Sequence, residues 1–133
     1  MLDLPDNLIQ ETGAAVLLRE FGYWPSFHDA EIIEVSLKTQ GASVLKVRSI
    51  FQDRILARDK EVCVVFTFSD IESLELDGFY KQNIILELNV SRPKDLYVIE
   101  IDSSVGLSGR ICARHLSISH LLSDQLPDQL PKT

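Results

Sequence analysis

The sequence predicts an α+β fold, an antiparallel sheet of about seven strands with one N-terminal helix packed on a face. Three observations carry this expectation. Apolar residues recur partly at helical spacing between Leu8 and Phe21, and Gly22 supplies a stop. From Ile33 onward, short runs alternate apolar and polar residues with the period of two that marks half-buried strands. The links between those runs are short turn sequences with no helical stretch, so the βαβ repeat of a parallel sheet is missing. A β-sandwich or an open barrel is the alternative arrangement of the same strands.

Taken in order, Pro5-Asp6-Asn7 marks a helix start, with Thr12-Gly13 as a later one. The helix then carries Leu8, Ile9, Ala15, Val16, Leu17, Leu18 and Phe21. Ile33, Val35 and Leu37 alternate with Glu34, Ser36 and Lys38 in the first strand. Thr39 to Ala42 forms a hairpin loop. The second strand, Ser43 to Phe51, sets Leu45, Val47 and Phe51 on one face and Lys46 and Arg48 on the other. Gln52 to Lys60 reads as a loop. Glu61 to Ser69 is the strongest strand, with Val62, Val64, Phe66 and Phe68 on one face and Cys63, Val65 and Thr67 on a second, nearly apolar face, which places it centrally.

Asp70 to Leu76 reads as a separate, shorter strand closed by the turn Asp77-Gly78, and Phe79 to Asn83 as a helical turn or a loop. Ile84, Leu86, Leu88 and Val90 alternate with Glu87 and Asn89. Ser91 to Asp95 turns the chain into Tyr97, Ile99 and Ile101, which alternate with Glu100 and Asp102. Ser103 to Gly109 is a small-residue loop; it lacks the strand-to-helix setting of a phosphate cradle. Arg110 to Ser119 is the last strand. The tail repeats Asp-Gln-Leu-Pro at 124–127 and 128–131, and two prolines four apart exclude a regular helix or a central strand. Residues 122–133 are therefore expected to be extended or mobile.

At 133 residues, 45% hydrophobic and 25% charged, the chain has the composition of one ordinary globular domain, 1–133. No run approaches the roughly 20 apolar residues of a membrane span, and Met1-Leu2-Asp3 lacks the basic start of a signal peptide, so a cytoplasmic protein with no membrane partner is expected. The net charge of −7 argues against nucleic acid as a partner and would speed encounter with a basic protein. Cys63 and Cys112 are isolated and read as small buried hydrophobes. His115 follows Cys112 by three residues, which on a strand puts it on the opposite face and spoils a nucleophile–base pair.

The stretch Phe21-Gly22-Tyr23-Trp24-Pro25-Ser26-Phe27-His28-Asp29-Ala30-Glu31 concentrates the unusual chemistry, including the only tryptophan. Its candidate functional residues are Trp24, Phe27, His28, Asp29 and Glu31. With the strand starting near His28, Asp29 and Glu31 share the core-side face with Ile33 and Val35, where a bare charge is costly. A structural role has Asp29 accept hydrogen bonds from amides of the Tyr23–Phe27 loop, with Trp24 and Phe27 plugging the core and Pro25 stiffening the turn, in cis or trans. A chemical role makes His28, Asp29 and Glu31 the start of a metal site in a small metal-dependent hydrolase. Against it, His28 points away from the two carboxylates on a regular strand, and His115 and His120 have no ligand spacing, so no catalytic residue, metal or cofactor is assigned. A recognition role makes an exposed Trp24-Phe27-His28 group, ringed by acids, a hot spot for a basic protein, while a homo-oligomeric structural module such as a homodimer would use Trp24 and exposed strand edges as its interface.

The stretch Phe21 to Ile32 resembles the signature of the bacterial Immunity protein 50 family. The segments Val64-Val65-Phe66-Thr67-Phe68, Leu74-Glu75-Leu76-Asp77-Gly78-Phe79 and Gln82-Asn83-Ile84-Ile85 are similar to those that follow in the family, as are Ser103-Ser104-Val105-Gly106 and Arg110-Ile111-Cys112. The likeness covers most of residues 14–118. It implies a bacterial, cytoplasmic, non-enzymatic protein that neutralises a partner toxin of a polymorphic toxin system by binding a protein toxin domain, one that the charge suggests is basic. It does not make the signature the toxin-contacting surface.

Overall fold

The computed structural model describes residues 4–53 and 58–122. Two short helices come first where one was expected. α1 (Asp6–Thr12) starts at Pro5, whose carbonyl accepts hydrogen bonds from the amides of Leu8 and Ile9, and α2 (Ala14–Phe21) ends at Gly22. Gly13 divides them because its backbone is left-handed, with φ 86°, a conformation that ends a helix and that a side chain would resist. Thr12 turns its hydroxyl back onto the Leu8 carbonyl at 2.5 Å. Leu8, Ala14 and Leu17 are buried and join the core.

Six antiparallel strands follow: β1 (Glu31–Ser36), β2 (Ser43–Asp53), β3 (Arg58–Asp77), β4 (Ile84–Ser91), β5 (Tyr97–Val105) and β6 (Ser108–Leu122). They form one sheet in the order β1-β2-β3-β6-β5-β4, not the two sheets of a sandwich. The sheet curls until its end strands, β1 and β4, touch through the single pair Glu31↔Ile84. Its concave side holds Leu45, Val47, Phe51, Val62, Val64, Phe66 and Phe68, as the alternation of β2 and β3 requires.

The strand count is six because the expected strands Glu61–Ser69 and Asp70–Leu76 are one. Asp70 takes a left-handed φ of 59°, and the β3–β6 register shifts between Ile71 and Ser73. The inward positions of β3 therefore jump from Phe68 to Ile71, and those of β6 from Leu116 to Ala113. A polar residue tolerant of the left-handed region bends a long strand here without ending it. Arg114 braces the bend from outside, 2.7 Å from Glu72 and 3.7 Å from Asp70. The predicted loop over Ser103 to Gly109 shrinks to a tight β5–β6 turn at Gly106-Leu107, and Phe79 to Asn83 forms no helix. Of the expected loop at Gln52 to Lys60, the described residues 52–53 and 58–60 are strand; the expectations for 54–57 and for the tail beyond Leu122 lie outside the described residues.

The two ends of the curled sheet differ. One is filled by α1, α2, Trp24 and Phe27, with Phe21 stacked 4.4 Å from Phe51 and Phe27 5.9 Å from Phe66. The other is crossed by the Gly78–Asn83 segment, which must pass from β3 to β4 over the β5–β6 hairpin because those two strands are not neighbours.

Candidate functional site

The signature stretch is folded as a clasp between the sheet's end strands. The Phe27 carbonyl accepts from the Ala30 amide at 3.0 Å, closing a turn in which Phe27 (φ 64°) and Asp29 (φ 70°) are both left-handed. Three further backbone bonds join this turn and β1 to β4 and the residue before it: Asp29 N to the Ile85 carbonyl at 2.9 Å, Ile85 N to the Ala30 carbonyl at 2.8 Å, and Ile32 N to the Asn83 carbonyl at 2.9 Å. The His28 ring adds a fourth tie, with Nδ1 3.1 Å from the Leu86 carbonyl. A carbonyl only accepts, so Nδ1 carries the proton.

Each predicted site residue now has a place. Trp24, 6% exposed, is inside, packed edge-on to Phe27 at 5.5 Å, so the exposed tryptophan of the recognition and homodimer readings does not exist. Pro25 is buried beside it, and the peptide bonds of the described residues are all trans. His28 and Asp29 are exposed neighbours, Nε2 to Oδ1 3.7 Å. Asp29 precedes β1, so it sits on no strand face, and the amide of His28 donates to the Ser26 hydroxyl instead of to a carboxylate.

Glu31 is not on the core-side face. The buried residue of β1 is Ile32, and the register then shifts between Ile32 and Glu34, so that Ile33 turns out to solvent and Val35 back toward the core. Glu31 instead receives Arg48 at 2.5 Å on the outer face, and Arg48 also reaches Glu61 at 3.2 Å, linking β1, β2 and β3. Among the described residues no three His, Cys, Asp or Glu side chains are grouped so as to hold a metal ion. The signature thus brings Trp24 to Phe27 and His28 to Asp29, while Glu31 belongs to a separate ion-pair network.

A second locus emerges where β1 meets β4 and the mouth of the sheet begins. β4 has its own register shifts beside Ile85, so Ile85 is buried and Leu86, expected inside, is outside. Bulges on both end strands have rotated one aliphatic side chain each, Ile33 and Leu86, out of the core. Of eight large apolar side chains exposed among the described residues, six lie on β1, its end, the crossing segment, β4 or the end of β5: Ile33, Leu37, Phe79, Tyr80, Leu86 and Val105. Val16 and Ile50 lie elsewhere. Phe79 and Tyr80 are 61% and 57% exposed. Beside them opens a hollow of about 360 Å³, lined by Val35, Leu37, Leu76, Asp77, Phe79 and Leu107.

This rim is rigidly held. Asn83, 3% exposed, accepts on Oδ1 from the amides of Tyr80 and Leu107, both at 3.0 Å, and donates from Nδ2 to the Tyr80 carbonyl at 2.8 Å. One buried amide therefore ties the crossing segment to the β5–β6 hairpin. Gly106 makes the contact possible, since a Cβ there would come within 2.5 Å of the Gln82 carbonyl oxygen. Phe79, Tyr80 and Asn83 were not among the candidate functional residues, although Phe79 and Asn83 lie in the segments that resemble the family. The available signal was Phe79-Tyr80, two adjacent aromatics in a polar connection directly after Asp77-Gly78.

Comparison with curated proteins and with solved structures gives no match. The family model described as Immunity protein 50 matches residues 13–124, a span running from the Gly13 hinge through all six strands. On that match over most of its length, the chain belongs to the Immunity protein 50 family.

Proposed function

We propose that this chain is a cytoplasmic, non-enzymatic immunity protein of a bacterial polymorphic toxin system, which binds a toxin domain and blocks it by covering its active site or cleft. The observation that carries this reading is the family match over residues 13–124. The exposed aromatics on a pinned loop support it, because binding depends on a few apolar anchors held ready in place. The helices of the described residues include none long and apolar enough to cross a membrane, which is compatible with a cytoplasmic site of action.

Within this reading the signature residues act by holding the sheet. Trp24 and Phe27 fill one end, and the His28–Asp29 turn joins β1 to β4. The experiment is co-expression of the toxin domain encoded beside this gene, alone and with this chain, scored by surviving cells. Survival only in the presence of the chain supports immunity. A toxin domain that kills equally with and without it overturns the proposal.

A further inference from the structure

We propose that the toxin domain docks on the hollow and its rim, inserting an apolar side chain between Leu37, Phe79 and Leu107 while its lysine or arginine side chains meet the acidic border. This rests on the immunity reading above and names the surface and chemistry of the contact. The apolar half of the argument is that six of the eight exposed large hydrophobics of the described residues lie on β1 or its end, the crossing segment, β4 and the end of β5, and that two of them, Leu37 and Phe79, line the 360 Å³ hollow. The bulges turn Ile33 and Leu86 outward, and the buried Asn83 fixes the segment that carries Phe79 and Tyr80. An interface core needs such anchors fixed before the partner arrives.

Charge selects the occupant. Asp77 lines the hollow, and Glu87 and Asp102 stand directly opposite each other on β4 and β5. None of these three has an ion pair among the described residues, whereas Glu31, Glu34, Glu61, Asp70 and Glu72 all do. Like charges facing across a strand pair oppose the fold, and a cationic partner would relieve them. A second copy of this chain would bring the same acids against them, with a net charge of −7 on each molecule. The surface therefore fits a basic protein better than itself. Lys81, 5.7 Å above the Tyr80 ring, marks the position a partner cation could share or replace.

The test uses the whole chain and an inactivated form of the toxin domain from the co-expression experiment. Phe79→Ala and Tyr80→Ala should each weaken binding by about 30-fold or more, the scale of an anchor residue. Leu37→Ser, on a different element, should act in the same direction. Val16→Ala and Ile50→Ala, equally exposed but distant, should change the Kd by less than about threefold. The wild-type association rate should fall about tenfold or more as salt is raised through the screening range. Wild-type protection with unchanged binding by the Phe79, Tyr80 and Leu37 variants would overturn the surface and leave immunity standing. Losses as large at Val16 or Ile50, or an association rate indifferent to salt, would also overturn it. A wild-type dimer at micromolar concentration that Tyr80→Ala dissociates would show a second copy in the hollow and sink the proposal. A wild type that neither binds nor protects would overturn the surface together with the reading beneath it.

Discussion

Replacing Asn83 by alanine should destabilise the protein by about 3 kcal/mol, although the side chain belongs to a connecting segment and to no strand. The magnitude follows from its three hydrogen bonds. Loss of Oδ1 strips a partner from the amides of Tyr80 and Leu107, and loss of Nδ2 strips one from the Tyr80 carbonyl. Each such bond contributes about 1 kcal/mol net, and a buried group left unsatisfied costs about 1–3 kcal/mol. Leu107 is buried, so its amide stays orphaned, while the groups of the exposed Tyr80 can turn to water. The sum is about 2–4 kcal/mol. With an unfolding entropy of about 0.3 kcal/mol/K for a chain of this length, the melting temperature should fall by roughly 10 °C.

Fluorescence of the buried Trp24 during thermal and urea unfolding gives the stability directly. Amide hydrogen exchange gives the location, with Tyr80 and Leu107 expected to gain most and the middle of β3 least. Asn83→Asp keeps an acceptor but sets a carboxylate oxygen against the Tyr80 carbonyl, so it should be at least as damaging. A loss below about 0.5 kcal/mol in Asn83→Ala would mean that water replaces the amide and that the rim is not pinned.

Three further outcomes follow from the same geometry. Asp29→Asn should leave stability within about 0.5 kcal/mol, because asparagine also tolerates the left-handed φ of 70°, whereas Asp29→Val should cost about 1–2 kcal/mol; urea midpoints of the two variants check this, and equal losses would refute the turn argument. Gly106→Ala should cost about 2 kcal/mol or more, since its φ is 93° and the new Cβ would press on the Gln82 carbonyl oxygen; a thermal melt within about 2 °C of wild type would contradict it. Burial pushes the Cys63 thiol above its ordinary 9.0, and burial followed by the Glu11 hydrogen bond and charge pushes the Tyr97 phenol above its ordinary 10.0. Both groups are held neutral by the fold, so their contribution is complete below those ordinary values and is lost as pH rises through the raised ones. Urea midpoints should therefore decline above about pH 9, and Tyr97→Phe should flatten part of that decline.

Much of the sheet was legible because burial on one face writes a period of two into the chain. In β2, β5 and the first half of β3, every alternation marked the inward residues correctly, from Leu45 and Val47 to Val64 and Phe66. The errors fall where the period is interrupted. Asp70 looked like the break between two strands because a charged residue there interrupts the inward series, yet the chain bends and carries on. Ile33 and Leu86 were expected inside because each fits an alternating run, and a bulge moved each of them out. A bulge adds one residue without any composition of its own, so period alone cannot place it. The single long helix failed for a related reason, since the helical spacing of apolar residues continues across Gly13 while the backbone does not.

The candidate site shows the same division more sharply. Chemistry-bearing residue types drew attention to Trp24, Phe27, His28, Asp29 and Glu31, and the structure places the first two in the core, His28 and Asp29 in the turn beside β4, and Glu31 in an ion pair with Arg48. Three ties run from the Phe27–Ile32 stretch to β4 and a fourth to Asn83 just before it, and Trp24 and Phe27 are buried. Truncating Phe27 would remove a buried aromatic, a loss of about 3–5 kcal/mol, comparable to much of the stability of an ordinary domain. Such a variant would fail to protect against a toxin whether or not the stretch touches it. Phe79 and Tyr80 are the opposite case, because each is more than half exposed and its removal leaves the core intact. A loss of protection by the Phe79→Ala chain with an unaltered melting temperature therefore separates contact from folding, a separation that no substitution of Trp24 or Phe27 can achieve.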